Sequence, residues 1–454
     1  MKNSLIQKYN VPGPRYTSYP TVPYWNEDDF KYDRWITSLQ QSFAESNTSE
    51  GISLYIHLPF CESMCTFCGC HKRITKNHSL EDPYIKAVLK EWRLYCTILG
   101  EKPIVKELHL GGGTPTFFSV KNLEDLINGL FSQATKHPEC EMSFEGHPNN
   151  TTREQLQKLY DLGFRRVSFG VQDYSSKVQK AINRIQPFQN VAKVTFQARE
   201  IGYTSISHDI IFGLPFQGIL DVVDTIEKTK SLLPDRLAFY SYAHVPWIKG
   251  NGQRGFKDED LPQDEQKRML YEIGKALLDK NGYHEIGMDH FALKSDSLYK
   301  AFDNGNLHRN FMGYSASKTQ LMIGLGVSSI GDSWYGFAQN VKSLEDYCQL
   351  LEWDKLPVFK GHILTDEDLI IRKHILNLMC KFETSWEERG AYFEELPEVI
   401  LQLAEMEEDG LVRINANSIQ ITEAGKPFVR NICMAFDLRL KRKAPGRELF
   451  SLTV

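Results

Sequence analysis

Four cysteines crowd into ten residues of this 454-residue chain: Cys61, Cys65, Cys68 and Cys70. The spacing Cys61-x-x-x-Cys65-x-x-Cys68 puts three thiolates on one short loop. Thiolates are soft ligands that select iron–sulfur clusters, zinc or copper(I). Four protein thiolates close a cubane's coordination. Three leave one iron open, and an open position is what a substrate-activating metal needs. A structural zinc site usually draws its ligands as two pairs well separated in sequence. No second pair follows here, but His57 and His71 flank the loop and keep a zinc reading open. Cys70 is either a fourth ligand or a free thiol beside the reaction; spacing does not separate the two. The scattered Cys96, Cys140, Cys348, Cys380 and Cys433 read as buried small hydrophobes rather than a disulfide framework.

Further polar residues fall at strand ends. Gly111-Gly112-Gly113-Thr114-Pro115 either lets the backbone approach a ligand closely or makes a tight turn. Glu145, Gln172 and Asp209 stand where acidic groups hold ribose hydroxyls in other nucleotide sites, and where ordinary caps also occur.

The elements that must position these residues begin at Ile52. Short β-branched or aromatic runs occur at Ile52–His57, Ile104–Leu110, Glu141–Glu145, Arg166–Val171, Tyr203–Phe212 and Arg236–Ala243. Helical spacing separates them at Asp82–Leu99, Val120–Ala134, Thr152–Leu162, Asn190–Ile201 and Leu220–Leu233. Alternation of this kind predicts an α/β fold, an open partial (βα)6 barrel of parallel strands with right-handed crossovers and chemistry at the C-terminal strand ends. The expected organisation is an N-terminal arm and short helix over 1–50, the partial barrel over 51–290, and a barrel extension covering the substrate site over 291–363. A mainly helical, winged-helix-like domain over 364–454 completes it. The polar stretch Lys249–Gln266 reads as a mobile surface loop.

Composition narrows the class. The net charge of −5 argues against a general nucleic-acid binder. Met1–Asn10 has no signal-peptide core, and no run approaches membrane-spanning length, so the expectation is a cytoplasmic protein without membrane attachment.

Together these residues resemble the radical S-adenosylmethionine (SAM) superfamily. Within it, the Cys61–Cys70 segment, Tyr16-Thr17-Ser18-Tyr19-Pro20-Thr21, Gly287-Met288-Asp289-His290-Phe291-Ala292, His308-Arg309-Asn310-Phe311 and Arg430-Asn431-Ile432-Cys433-Met434 are similar to the oxygen-independent coproporphyrinogen III oxidase family. The likeness covers essentially the whole chain. It implies a 4Fe–4S cluster on Cys61, Cys65 and Cys68, with Cys70 not a ligand, and two SAM molecules side by side. The first would be contacted by Tyr55, Gly112, Glu145 and Ile330, the second by Phe67, Gly113, Thr114, Gln172, Arg184, Asp209 and Ala243. Gly146 and His147 depart from the family's pattern beside Glu145, where a β-branched residue and an acid or amide are more usual.

The activity implied is oxidative decarboxylation of two propionates of coproporphyrinogen III to the vinyl groups of protoporphyrinogen IX, in haem biosynthesis, by SAM-derived 5′-deoxyadenosyl radicals. A propionate β-carbon has no acidic hydrogen, so general-base chemistry faces a prohibitive barrier and a radical route avoids the carbanion. Cys70, Tyr16, Arg15 and Arg309 are the candidate catalytic or substrate residues; arginine suits carboxylates because its fork pairs with both oxygens. Tyr16, Tyr19 and Phe311 are candidates to flank the macrocycle. A flavodoxin or ferredoxin as electron donor and a monomeric chain complete the expectation. Two readings compete: a haem-trafficking protein of the same fold, against which Cys70 and the long arm argue, and a haem-degrading or porphyrin-methylating radical SAM enzyme.

Overall fold

The structure is a computed structural model describing residues 3–25, 30–247, 252–253, 255–443 and 449–453. Its centre is a twelve-stranded sheet. The strands are β1 Ile52–Leu58, β2 Ile104–Gly112, β3 Thr135–Gly146, β4 Arg166–Gln172, β5 Ser205–Phe212 and β6 Arg236–Ser241, then β7 Tyr283–Gly287, β8 His290–Leu293, β9 Leu321–Leu325, β10 Ile330–Asp332, β11 Gly336–Asn340 and β12 Val358–Ile363. Spatial order is β12-β11-β10-β9-β1-β2-β3-β4-β5-β6-β8-β7. The run from β9 through β1 to β6 is wholly parallel. Antiparallel strands finish both edges, and among the described residues those edges do not pair.

The predicted strands and crossover helices are all present. Helices span Glu81–Leu99, Val120–Gln133, Arg153–Asp161, Phe188–Ile201 and Ile219–Ser231. The reason is visible along Glu81–Leu99: Tyr84, Ile85, Val88, Trp92, Tyr95 and Leu99 form one apolar stripe at helical spacing and are all buried. They pack on Ile52, Leu54, Ile56 and Leu58 of β1 within one core cluster.

Two features escaped the sequence reading. Asn3–Tyr9 is helical where an extended arm was expected. The sheet also continues past β1 through β9, whose Leu321–Leu325 pairs in parallel with Ile52–Ile56. The chain returns to the first strand only after crossing the entire barrel. Within the polar stretch, residues 249–251 and 254 lie outside the described set; Lys257, Asp258 and Glu259 are exposed as expected of a surface segment, while Gln253 is buried at 3% exposure. After β12 come helices Asp366–Lys381 and Leu396–Glu408 with a three-stranded sheet of Glu383–Ser385, Val412–Ile414 and Ser418–Ile421, which includes the expected hairpin. No described helix is long and apolar enough to cross a membrane.

The turn between β9 and β10 is pinned by buried polar groups. Glu91 accepts from the Gly326 N–H (2.8 Å), the Tyr347 hydroxyl (2.6 Å) and Asn340 Nδ2 (2.7 Å). Burial outweighs these bonds and lifts its carboxyl to about 7. Beside it, Tyr84 donates to the His57 carbonyl (2.6 Å) and accepts from Val327 N–H (3.1 Å). Tyr84→Phe strands both buried groups and is expected to cost about 2 kcal/mol, read as a lower midpoint in chemical denaturation. An unchanged midpoint contradicts this account of the junction.

Candidate active site

The cysteine loop leaves the C-terminal end of β1 and is closed by a short parallel ladder, Phe60–Cys61 against Arg73–Ile74. Bonds from Arg73 N–H to Pro59 O and from Thr75 N–H to Cys61 O, both 2.8 Å, fasten its base. Its far side is tied to the segment after β4: Thr66 donates from N–H and hydroxyl to the carbonyls of Ile182 and Ala181 (3.0 Å each), and Asn183 Nδ2 donates to Met64 O (2.7 Å). An irregular loop is thereby held from both sides.

Cys61, Cys65, Cys68 and Cys70 line one cavity of about 680 Å³. Phe67, Gly112, Gly113, Thr114, Glu145, Gln172, Arg184 and Asp209 line the same cavity, which therefore gathers residues from the ends of five strands. No three His, Cys, Asp or Glu among the described residues converge on a single point, as a lone ion would require. A cubane with one open iron asks for a different arrangement, one thiolate on each of three iron corners, and the donor set fits it. The zinc reading also loses His57. Its Nε2 meets the His71 carbonyl (3.0 Å) and so carries the proton, while Nδ1 accepts from the Tyr55 hydroxyl (3.1 Å). Burial lowers this imidazole to about 4, so it is neutral and fully engaged.

The glycine segment is the second wall. Gly112 ends β2 at φ +110, and a Cβ there would meet the His57 ring at 2.7 Å. A Cβ on Gly113 would meet the Pro59 carbonyl at 2.6 Å. Only glycine lets this strand end lie so close to β1. The Gly112 N–H donates to Glu145 Oε2 (3.2 Å), and His109 Nε2 lies 3.6 Å from Oε1. Burial would raise the Glu145 carboxyl, but His109, the Gly112 N–H and His57 together bring it below its ordinary value. Asp209 goes the other way: burial lifts it to about 7 despite the bond from Ser168 Oγ (2.8 Å). These two of the carboxyls lining the cavity are thus held in different protonation ranges.

Arg184 crosses between the walls. Its Nη2 donates to Gly170 O (2.7 Å) and Nη1 lies 3.7 Å from Cys65 Sγ, while its buried Nε has no partner. An orphaned guanidinium N–H beside the thiols suits an anionic ligand group. Gln172 adopts φ +67, a conformation a glutamine enters only under constraint. Cys68 is drawn down to about 6, first by a hydrogen bond from Cys70, whose own thiol is pushed up; burial raises Cys61 to about 11.

The remaining predicted residues divide. Tyr55 pairs in register with Gly324, against whose Cα the Ile330 backbone packs, so these two are neighbours across β9. Phe67 and Ala243 are joined by a residue the sequence reading missed: Gln253 Nε2 donates to both carbonyls, at 3.1 and 3.0 Å. Nothing in its polar surroundings distinguished it. Arg15, Tyr16 and Arg309 do not line the cavity. Arg15 pairs with Asp289 (3.0 Å) and donates to Ser241 O (3.1 Å) at the end of β6. Tyr16 is 2% exposed with its hydroxyl on Asp437 (3.1 Å). Tyr19 is buried too, and Phe311 packs edge-on against Trp25 and Phe337.

The departure beside Glu145 has a packing cause. A Cβ on Gly146 would meet the Phe169 ring at 2.9 Å and Thr151 Oγ1 at 3.1 Å. His147, lowered to about 3 by burial and by Arg184, accepts from the Asn149 N–H (3.2 Å). Gly146→Val is expected to destabilise by about 1–3 kcal/mol through overpacking, and adding Phe169→Ala should recover part of it. Thermal unfolding of both variants checks this; a neutral Gly146→Val contradicts it.

Comparison with known proteins bears on this site. Residues 55–229 match the model of the radical SAM superfamily. The chain is 38% identical to the oxygen-independent coproporphyrinogen III oxidase of Escherichia coli K12, over 97% of this chain and 96% of that protein. It is 35% identical to the protein of that name from Synechocystis, over 99% and 97%. A solved structure of coproporphyrinogen III oxidase from Escherichia coli, described as a radical SAM enzyme, superposes with a TM-score of 0.89 at 35% identity, covering 96% of this chain and 98% of that one.

Proposed function

We propose a division of labour in this site from one premise: the chain belongs to the oxygen-independent coproporphyrinogen III oxidase family of the radical SAM superfamily. It is a radical SAM oxidoreductase that converts coproporphyrinogen III to protoporphyrinogen IX, and its cofactors are a 4Fe–4S cluster and SAM. The observation that carries the reading is the single cavity that brings the cysteine loop, the glycine segment and Glu145 together.

In the finer reading, Cys61, Cys65 and Cys68 hold the cluster and Cys70 stays off it as a thiol facing the same cavity. Two SAM molecules use the two halves of the cavity. Tyr55, Gly112, Glu145 and Ile330 hold the first, and Phe67, Gly113, Thr114, Gln172, Arg184, Asp209 and Ala243 the second. What supports this is the pairing of an ionised Glu145 with a near-neutral Asp209 and the unpartnered Nε of Arg184. When bound, the cluster and SAM supply the carbon radical that takes a hydrogen atom from a propionate β-carbon. The protein's part is to orient and enclose. Each propionate must also lose carbon dioxide and one electron to become a vinyl group, and no side chain is needed as a base. The buried neutral imidazoles of His57 and His147 fit a site that keeps water and stray protons from the reacting carbon.

Of the two arginines considered for the substrate's carboxylates, Arg15 is the contact we favour, because its guanidinium is part-exposed beside the end of β6. A low-potential donor such as a flavodoxin or ferredoxin, a cytoplasmic setting and a monomeric chain complete the reading.

Two experiments test it. Reconstituted without oxygen, the protein should turn coproporphyrinogen III, SAM and a reductant into protoporphyrinogen IX with 5′-deoxyadenosine. Haem binding without SAM cleavage, or methyl transfer, contradicts the reading. Alanine at Cys61, Cys65 or Cys68 should abolish iron retention and turnover, whereas Cys70→Ala should keep its iron. Iron lost from Cys70→Ala to the same extent contradicts three-thiolate ligation. Arg15→Ala is expected to raise the substrate KM roughly tenfold or more at unchanged iron content.

A further inference from the structure

Residues 13–21 of the N-terminal arm reach the barrel mouth with no helix or strand of their own, so their carbonyls need partners. Two buried arginines supply them. Arg430 donates from Nε to Pro14 O (2.9 Å) and from Nη2 to Gly13 O, while Nη1 reaches Leu452 O (2.8 Å) on the C-terminal tail. Arg309 donates from Nη2 to Arg15 O (3.2 Å) and from Nε to Tyr16 O (3.4 Å). Four consecutive carbonyls, from Gly13 to Tyr16, are thus held by two guanidiniums. Arg309 is 5% exposed and Arg430 4%. Neither forms an ion pair among the described residues, although burying an unpaired cation is costly. The fork geometry is what arginine offers and lysine does not: several donors fixed in one plane.

The clamp also fixes an unfavourable backbone. Tyr16 sits at φ +48, which a tyrosine holds only where its surroundings impose it. Here its carbonyl is on Arg309 and its hydroxyl on Asp437. The residue before it, Arg15, is the arm cation that, among the described residues, is directed to the mouth, where it meets Asp289 and the Ser241 carbonyl, next to the cavity-lining Tyr240. Asp289 itself adopts φ +67 in the turn between β7 and β8 and accepts Phe239 N–H on its carbonyl (2.7 Å).

We infer that Arg309 and Arg430 are positioning residues for the substrate: by gripping the arm's backbone they present Arg15 at the cavity mouth, where a propionate of the tetrapyrrole exchanges with Asp289 for its guanidinium. This rests on the reading of Arg15 as a carboxylate contact. The inference accounts for two buried cations spent on main-chain oxygens and for strain placed one residue from Arg15.

The test is steady-state kinetics of the reconstituted full-length enzyme with coproporphyrinogen III. Arg430→Gln should raise KM roughly tenfold or more, as Arg15→Ala does, with iron content and SAM affinity as in the parent protein. In the Arg15→Ala background it should add nothing further to KM, because it acts through Arg15. Should Arg430→Gln fail to fold, Gly13→Val carries the same test. A Cβ there meets Thr453 at 2.6 Å and Met434 at 2.7 Å, displacing the same stretch. An Arg430→Gln or Gly13→Val effect on KM that is absent, or that multiplies with Arg15→Ala, overturns the inference while leaving the reading of Arg15 intact. An unaltered KM in Arg15→Ala overturns both.

Discussion

At the end of β1 the imidazole of His57 is fixed on every side, and the mouth of the barrel is arranged around it. One ring nitrogen takes the hydroxyl of Tyr55 and the other gives its proton to the carbonyl of His71, where the cysteine loop returns. The ring lies against Gly112, and the backbone carbonyl of His57 accepts from Tyr84. Burial keeps the ring neutral. Because Nε2 already carries the ring's proton, a second would fall on Nδ1, against the hydrogen that the Tyr55 hydroxyl donates. The return of the cysteine loop, the end of β2 and the helix behind them therefore all meet at one residue, and the bond to the loop depends on the ring keeping one tautomer.

From that junction the site spreads across the sheet. Glu145 ties β3 back to Gly112 through the N–H it accepts, and Arg184 ties the segment after β4 to both Gly170 and Cys65. Gln253 draws the end of β6 onto the cysteine loop. Each strand end is thus linked to a neighbour by a polar side chain rather than by packing alone, which suits a rim that has to remain open to a ligand. The electrostatics follow the same logic: Glu145 is the carboxyl kept low, Asp209 is lifted towards neutrality, and the imidazoles of His57 and His147 are unprotonated. The same cavity is also lined by Lys72, Lys76 and Arg184, cationic side chains that suit an anionic ligand group.

Much of this was legible before any coordinates. The strands from Ile52 to Arg236 and the helices between them are written in short β-branched runs and in apolar residues at helical spacing, and strand-end residues such as Glu145 and Asp209 follow from the βα rule. Three things were not legible. β9 joins β1 in parallel after a separation in sequence that no local pattern encodes. Gln253 works through its amide, which any surface glutamine also carries. Arg15, Tyr16 and Arg309 were marked by a family likeness, yet the structure uses Tyr16 and Arg309 to seat the arm, a role set by carbonyls that have no signature in side-chain sequence. Gly146 was legible only as a departure; the Phe169 ring that fills its space stands on the neighbouring strand.

The central claim is that the cysteine loop carries a four-iron cluster with one iron left free for SAM. Mössbauer spectroscopy of the 57Fe-reconstituted protein, recorded with and without SAM, tests it directly. The account predicts that added SAM shifts the signal of a single iron site and leaves the others as they were. Four iron sites indifferent to SAM, or a reconstituted protein that holds no four-iron cluster, would contradict it.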